Sequence, residues 1–150
     1  MDSEAFNDII GQREAISRLL QLTEEDRIPH ALLFCGPEGC GKMALAMDFA
    51  KYLLTENICN PTAHENALAM LSNWEHPDLH FTYPTIKLPG MGSDHKPISD
   101  DFASQWLQLL SEGTYFTIEQ WLQMMGGGNK QAIITAAESD AIAHNLSLMS

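Results

Sequence analysis

Helix-like and strand-like stretches follow one another along the chain. From Gln12, Ile16, Leu19 and Leu20 recur at the spacing of one helical face, and Glu24-Glu25-Asp26 closes the segment with charge. Residues 2–10 before it are mixed. Pro29 disfavours helix at Ile28. The run His30-Ala31-Leu32-Leu33-Phe34-Cys35 is almost continuously apolar, which predicts a strand covered on both faces, as in a parallel sheet. Ala46, Phe49, Ala50 and Leu53 then mark one face of a helix that fades near Asn57.

Cys59 to His64 reads as a turn or loop, Asn66 to Trp74 as a short helix and Leu79 to Tyr83 as a strand. Residues 84–98, with three prolines and two glycines among few apolar side chains, read as an inserted, exposed loop. Ser99 is placed to cap a helix carrying Phe102, Trp106, Leu109 and Leu110, with Asp100 and Asp101 at its positive end. Thr117 with Gln120 predicts a capping box for a helix through Trp121 and Met125, which Gly126-Gly127-Gly128 must end. Gln131 to Ile134 reads as a strand, and Thr135 with Glu138 as a second capping box before a helix ending near Leu148. Trp74, Trp106 and Trp121 sit at helical spacing with Leu or Phe, so core packing outweighs a role in base stacking.

Between the first apolar run and the helix after it stands FCGPEGCGKM, residues 34–43. Gly36 to Met43 follows Gly-x-x-x-x-Gly-Lys-Ser/Thr up to its last position. Such a loop between strand and helix aims backbone N–H groups at phosphate oxygens, and its lysine reaches the β- and γ-phosphates. Chance gives the seven-residue pattern somewhere in a chain of this composition with a probability of only about 0.02. Met43 stands where a hydroxyl would hold Mg²⁺, and a thioether is a poor ligand for that hard cation. The loop is therefore expected to bind ATP or ADP weakly, without P-loop Mg²⁺ and without efficient hydrolysis.

Composition narrows the partners. Twenty acids against eight bases give a net charge of −12, which argues against this chain gripping a phosphate backbone by itself. The opening Met1-Asp2-Ser3-Glu4 has no signal-peptide character, no apolar run approaches a membrane span, and three cysteines make no disulfide framework; a cytoplasmic protein is expected. Cys35 is expected to be buried and Cys40 exposed. Cys59, His64, His76 and His80 have no usual zinc spacing, so zinc is not expected. Asp78 with His80, and Asp94 with His95, lack a nucleophile motif nearby and read as solvated loop residues.

The stretches DIIGQREAISRLL, RIPHALLFCGPEGCGKMALAMDFAKYLL and HPDLHF resemble the start of bacterial DNA polymerase III clamp-loader subunits of the delta-prime and gamma/tau group, within the AAA+ proteins. The resemblance is specific over residues 6–54 and 76–82, and looser over 126–148. It implies an α/β fold, a three-layer P-loop NTPase sandwich with a parallel sheet. Residues 1–150 would be the N-terminal part of one nucleotide-binding domain, cut before the Walker B strand. It places the nucleotide on Ile9, Ile10, Gly11 and Gln12 around the adenine, and on Gly36, Pro37, Glu38, Gly39, Cys40, Gly41, Lys42 and Met43 around the phosphates. The four zinc-binding cysteines common in the family are reduced here to Cys59. Met43 fits the delta-prime type, which typically serves as a non-hydrolysing stator. The implied role is assembly with other clamp-loader subunits to load the sliding clamp, with DNA met only through the whole complex. The rival reading is a self-sufficient P-loop ATPase or nucleotide kinase.

Overall fold

The protein is described by a computed structural model covering residues 3–148. Met1 and Asp2, where the absence of a signal peptide was partly read, lie outside the described residues. The chain divides into two compact units, Met1–Ser72 and Asn73–Ser150.

Unit 1 holds a 3-10 turn, Ser3–Phe6, and three helices: α1 (Arg13–Glu24), α2 (Lys42–Thr55) and α3 (Pro61–Ser72). Its core is built from Phe6, Ile9, Leu19, Ala44, Leu45 and Phe49, with Ile16 and Leu20 of α1 and Phe34 packed against it. The stripe expected on α1 thus faces α2. Helix α3 begins at Pro61, five residues before the expected start. Asn60 accepts the Ala63 N–H at 3.1 Å, and Pro61 occupies the first helical position, where a missing N–H costs nothing.

Asp48 interrupts the apolar side of α2. The residue is 4% exposed and its Oδ2 has no hydrogen-bond partner among the described residues. Burial, only partly offset by Lys51 and reinforced by Asp8, pushes its carboxyl up to about 6. A raised carboxyl pKa means that folded protein holds a proton the unfolded chain has released. Its contribution is therefore fully present below about pH 4 and lost as pH rises through about 6. One unit is worth about 1.4 kcal/mol, so with partial solvent screening the loss is about 2 kcal/mol. Urea titrations followed by far-ultraviolet circular dichroism should show wild type losing that much, relative to Asp48→Asn, between pH 4 and pH 7. Parallel profiles for the two proteins would contradict it.

Unit 2 holds a 3-10 turn, Ser99–Phe102, and helices α4 (Ala103–Ser111), α5 (Ile118–Met125) and α6 (Ala136–Ser147). All three tryptophans are buried, as their spacing predicts, and Trp106 lies 4.3 Å from Tyr83 and 5.1 Å from Trp121 between ring centroids. The Thr117–Gln120 capping box forms. Gly126 ends α5 at φ 80°, and Gly127 is pressed so closely on Ile86 that a Cβ there would meet its Cδ1 at 2.5 Å.

Several expectations give way. No strand forms among the described residues, and the only strand-like pairing there is an antiparallel bridge between Thr85 and Ile133. The run 30–35 has no ladder partner to satisfy its backbone, and Leu33 is 88% exposed rather than covered on both faces. Ser99 is not a cap: its hydroxyl accepts the Tyr83 N–H at 3.1 Å, while Asp101 accepts the Ile98 N–H at 2.9 Å. The Thr135–Glu138 box does not form either, because both side chains are drawn to the segment before α4. Thr135 donates to the Pro97 carbonyl at 2.7 Å, and Glu138 accepts the Ser99 N–H at 2.7 Å. The loop 84–98 is exposed over most of 87–96, but Thr85, Ile86 and Pro97 are buried.

Candidate functional site

The motif Gly36 to Met43 forms a turn running directly into α2. A 3.4 Å hydrogen bond from Cys40 N–H to the Pro37 carbonyl closes it. Gly39 (φ 79°) and Gly41 (φ 92°) adopt the left-handed backbone that side chains resist. Gly41 is the N-cap of α2 and supplies no capping side chain. The first-turn amides of α2 therefore have neither an intrahelical acceptor nor a capping one, the arrangement that suits an anion. Lys42 folds back over the loop, its Nζ donating to the Gly36 carbonyl at 2.6 Å and to the Pro37 carbonyl at 3.4 Å. A positive charge thus sits inside the turn.

Beside the loop lies a cavity of about 200 Å³, lined by Gln12, Ala15, Leu33, Phe34, Cys35, Cys40, Gly41, Lys42 and Leu45. Sites for whole small molecules are usually about 300–1,000 Å³, so this one matches the phosphate end of a nucleotide better than all of it. A larger cavity of about 320 Å³ belongs to unit 2, between the segment 79–83 and helices α4 and α6. Its buried acid, Glu138, is already engaged by Ser99 and Thr82, so it offers less to a ligand.

Of the residues that the resemblance assigns, Gln12, Cys40, Gly41 and Lys42 come together at the smaller cavity. Gln12 ties the two motifs to each other, its Nε2 donating to the Cys40 carbonyl at 3.1 Å. Gly36, Pro37, Glu38 and Gly39 are exposed and do not line that cavity. Ile9 is buried in the core of unit 1, Ile10 is 80% exposed, and Gly11 lies in an exposed turn at φ 73°. Met43 is 42% exposed at the first turn of α2, so it does not plug the core. Cys35 is exposed, contrary to its expected burial, and Cys40 is half-buried rather than fully exposed. Sequence reasoning missed Asp48, although a carboxylate four residues after Ala44 on an apolar face was a visible signal. No group of three or more metal-ligating side chains occurs among the described residues, and no helix there is long and apolar enough to cross a membrane.

A family model described as DNA polymerase III, delta subunit, matches residues 11–142. The Replication factor C small subunit of Archaeoglobus fulgidus is 47% identical over 52 residues, 35% of this chain and 16% of that protein. Replication factor C subunit 3 of Saccharomyces cerevisiae is 33% identical over 64 residues, 43% of this chain and 18% of that protein. DNA polymerase III subunit tau/gamma of Haemophilus influenzae is 40% identical over 50 residues, 33% of this chain and 7% of that protein. The chain thus spans less than a fifth of the length of each of these relatives. No solved structure matches it significantly.

Proposed function

Because the chain belongs to the DNA polymerase III delta subunit family, a clamp-loader family of DNA replication, we propose that it is the N-terminal part of a delta-prime-type subunit. In this reading residues 1–150 belong to one nucleotide-binding domain with an insertion at 84–98. Its fold is the three-layer α/β P-loop sandwich with a parallel sheet. The subunit works in the cytoplasm, away from membranes. It assembles with other clamp-loader subunits to place the sliding clamp on primed DNA and meets DNA only through that assembly.

The observation that carries the nucleotide part is Met43, solvent-facing behind an otherwise complete phosphate loop. The Gly39, Gly41 and Lys42 amides face the phosphates of ATP or ADP, Lys42 exchanges its own carbonyl contacts for phosphate oxygens, and Ile9 to Gln12 lie on the adenine side. A bound nucleotide supplies negative charge that the loop neutralises. The thioether of Met43 gives Mg²⁺ no purchase, so the γ-phosphate is held rather than transferred.

Two measurements on the purified chain test this. ATP hydrolysis should not exceed the buffer blank; turnover that vanishes in Lys42→Ala would instead favour a working ATPase. In an ADP titration, Lys42→Ala should weaken binding about 10- to 100-fold, the worth of one charge-assisted contact of about 1.5–3 kcal/mol. Unchanged affinity in the variant would remove the lysine from the site.

A further inference from the structure

Two thiols, not one, face the cavity at the phosphate loop, and nothing in the nucleotide reading uses either of them. Cys35 stands immediately before the loop and is exposed; Cys40 stands within it and is half-buried. Between them the chain reverses through the turn closed by Cys40 N–H and the Pro37 carbonyl. The Cys40 sulfur rests against the residue next to Cys35: a Cβ placed on Gly36 would lie 2.8 Å from Cys40 Sγ. Because Gly36 carries no side chain, no group at residue 36 separates that sulfur from the backbone beside Cys35. With consecutive Cα atoms about 3.8 Å apart, the Cys40 sulfur lies within about 8 Å of the Cys35 Cα. A disulfide asks for Cα atoms closer than about 7 Å, an approach that a turn with Gly36 and Gly39 between the two cysteines can make.

We propose that Cys35 and Cys40 form a dithiol pair that closes into a reversible disulfide across the phosphate loop, a modification site controlling the nucleotide cavity. The oxidant is a low-molecular-weight disulfide. The exposed Cys35 attacks as thiolate and forms a mixed disulfide, expelling one small thiolate. Cys40, also as thiolate, then attacks the Cys35 sulfur, expelling the second. The pair is oxidised by two electrons, the small disulfide is reduced to two thiols, and the two cysteine protons end on those thiols. Bridging draws residue 40 towards residue 35, which rotates the loop amides away from a common centre and strips Gln12 of its bond to the Cys40 carbonyl. The loss of phosphate binding rests on the loop being the phosphate site; the disulfide itself does not.

Peptide mapping separates the two. Trypsin cutting after Arg27 and Lys42 leaves Cys35 and Cys40 in one peptide, 28–42, and Cys59 in another. After incubation with oxidised glutathione and alkylation of remaining thiols, peptide 28–42 should be two hydrogens lighter than the reduced form and carry no label. Cys59, exposed in the same unit, should carry glutathione or the alkyl group. In Cys40→Ser, Cys35 should stop at the glutathione adduct, having no second thiol to displace it. Peptide 28–42 recovered with two alkyl groups or with glutathione, while Cys59 reacts, would overturn the pair. ADP affinity should fall about tenfold or more on oxidation and return with dithiothreitol. Equal affinity of both forms would overturn control of the cavity. If the reduced chain binds no nucleotide, the phosphate reading and the proposed control fail together, and the mapping alone still decides the disulfide.

Discussion

Trp121→Ala is expected to remove most of the stability of unit 2. Trp121 is among the most deeply buried side chains described, and its ring meets Tyr83, Phe102 and Trp106 at centroid distances of 5.0, 6.4 and 5.1 Å. Its indole N–H donates to the Pro84 carbonyl at 2.7 Å, which anchors the start of the insertion. Truncating such a tryptophan costs about 3–5 kcal/mol in lost burial and cavity, and the Pro84 carbonyl loses its donor as well. A unit of this size is stable by roughly 5–10 kcal/mol, so most of its margin goes. All three tryptophans lie in unit 2, so fluorescence reports on it without interference from unit 1. Trp74 and Trp106 in the variant should shift to the red-shifted emission of solvated indole at a much lower urea concentration than in wild type. Blue-shifted emission with the wild-type urea midpoint would contradict this packing.

Glu138→Ala is expected to cost about 3 kcal/mol, a large sum for one polar side chain. Its carboxylate accepts the Ser99 N–H at 2.7 Å and the Thr82 hydroxyl at 3.4 Å, joining α6 to the start of the 3-10 turn and to the segment 79–83. Ser99 in turn holds Tyr83, accepting its N–H at 3.1 Å and taking its phenol through the carbonyl at 2.6 Å. Burial, with Asp100, Glu138 and Asp101 nearby, pushes the Tyr83 phenol well above its usual pKa, so it stays a donor. Alanine leaves the buried Ser99 N–H without an acceptor. Glu138→Gln keeps a carbonyl oxygen for that N–H and should lose only about 1 kcal/mol, which separates hydrogen bonding from charge. Urea midpoints read by tryptophan fluorescence should rank wild type, glutamine, then alanine. An alanine variant as stable as wild type would show the network to be incidental.

Glu138 also marks where sequence reasoning stops. Thr135 and Glu138 have the spacing of a capping box, and Thr117 and Gln120 have the same one; only the second pair forms. Local spacing identifies side chains able to cap, but tertiary competition decides whether they do. Thr117 has no better partner, whereas Ser99 and Pro97 claim the other two. Helix α1 and the phosphate loop were legible because periodicity and Gly-x-x-x-x-Gly-Lys are local signals. The early start of α3 is equally local, signalled by Asn60-Pro61, against the loop expected there. The run 30–35 pairs with no strand among the described residues, because apolar composition signals burial without saying whether a partner strand is present. At the site, spacing singles out Gly41 and Lys42, and both line the smaller cavity. The Gln12 bond to Cys40 joins residues 28 apart in sequence, which no local pattern discloses.

The central claim is that this loop holds phosphate through backbone N–H groups and Lys42, without a metal. The direct measurement is a calorimetric titration of the chain with ADP and ATP, once with Mg²⁺ and once with chelator, beside Met43→Thr. Wild type should bind weakly and with nearly equal affinity in both conditions, whereas the threonine variant, its hydroxyl restored, should bind more tightly only when Mg²⁺ is present. No binding by either protein at high nucleotide concentration, or wild-type binding that disappears with chelator, would contradict the account.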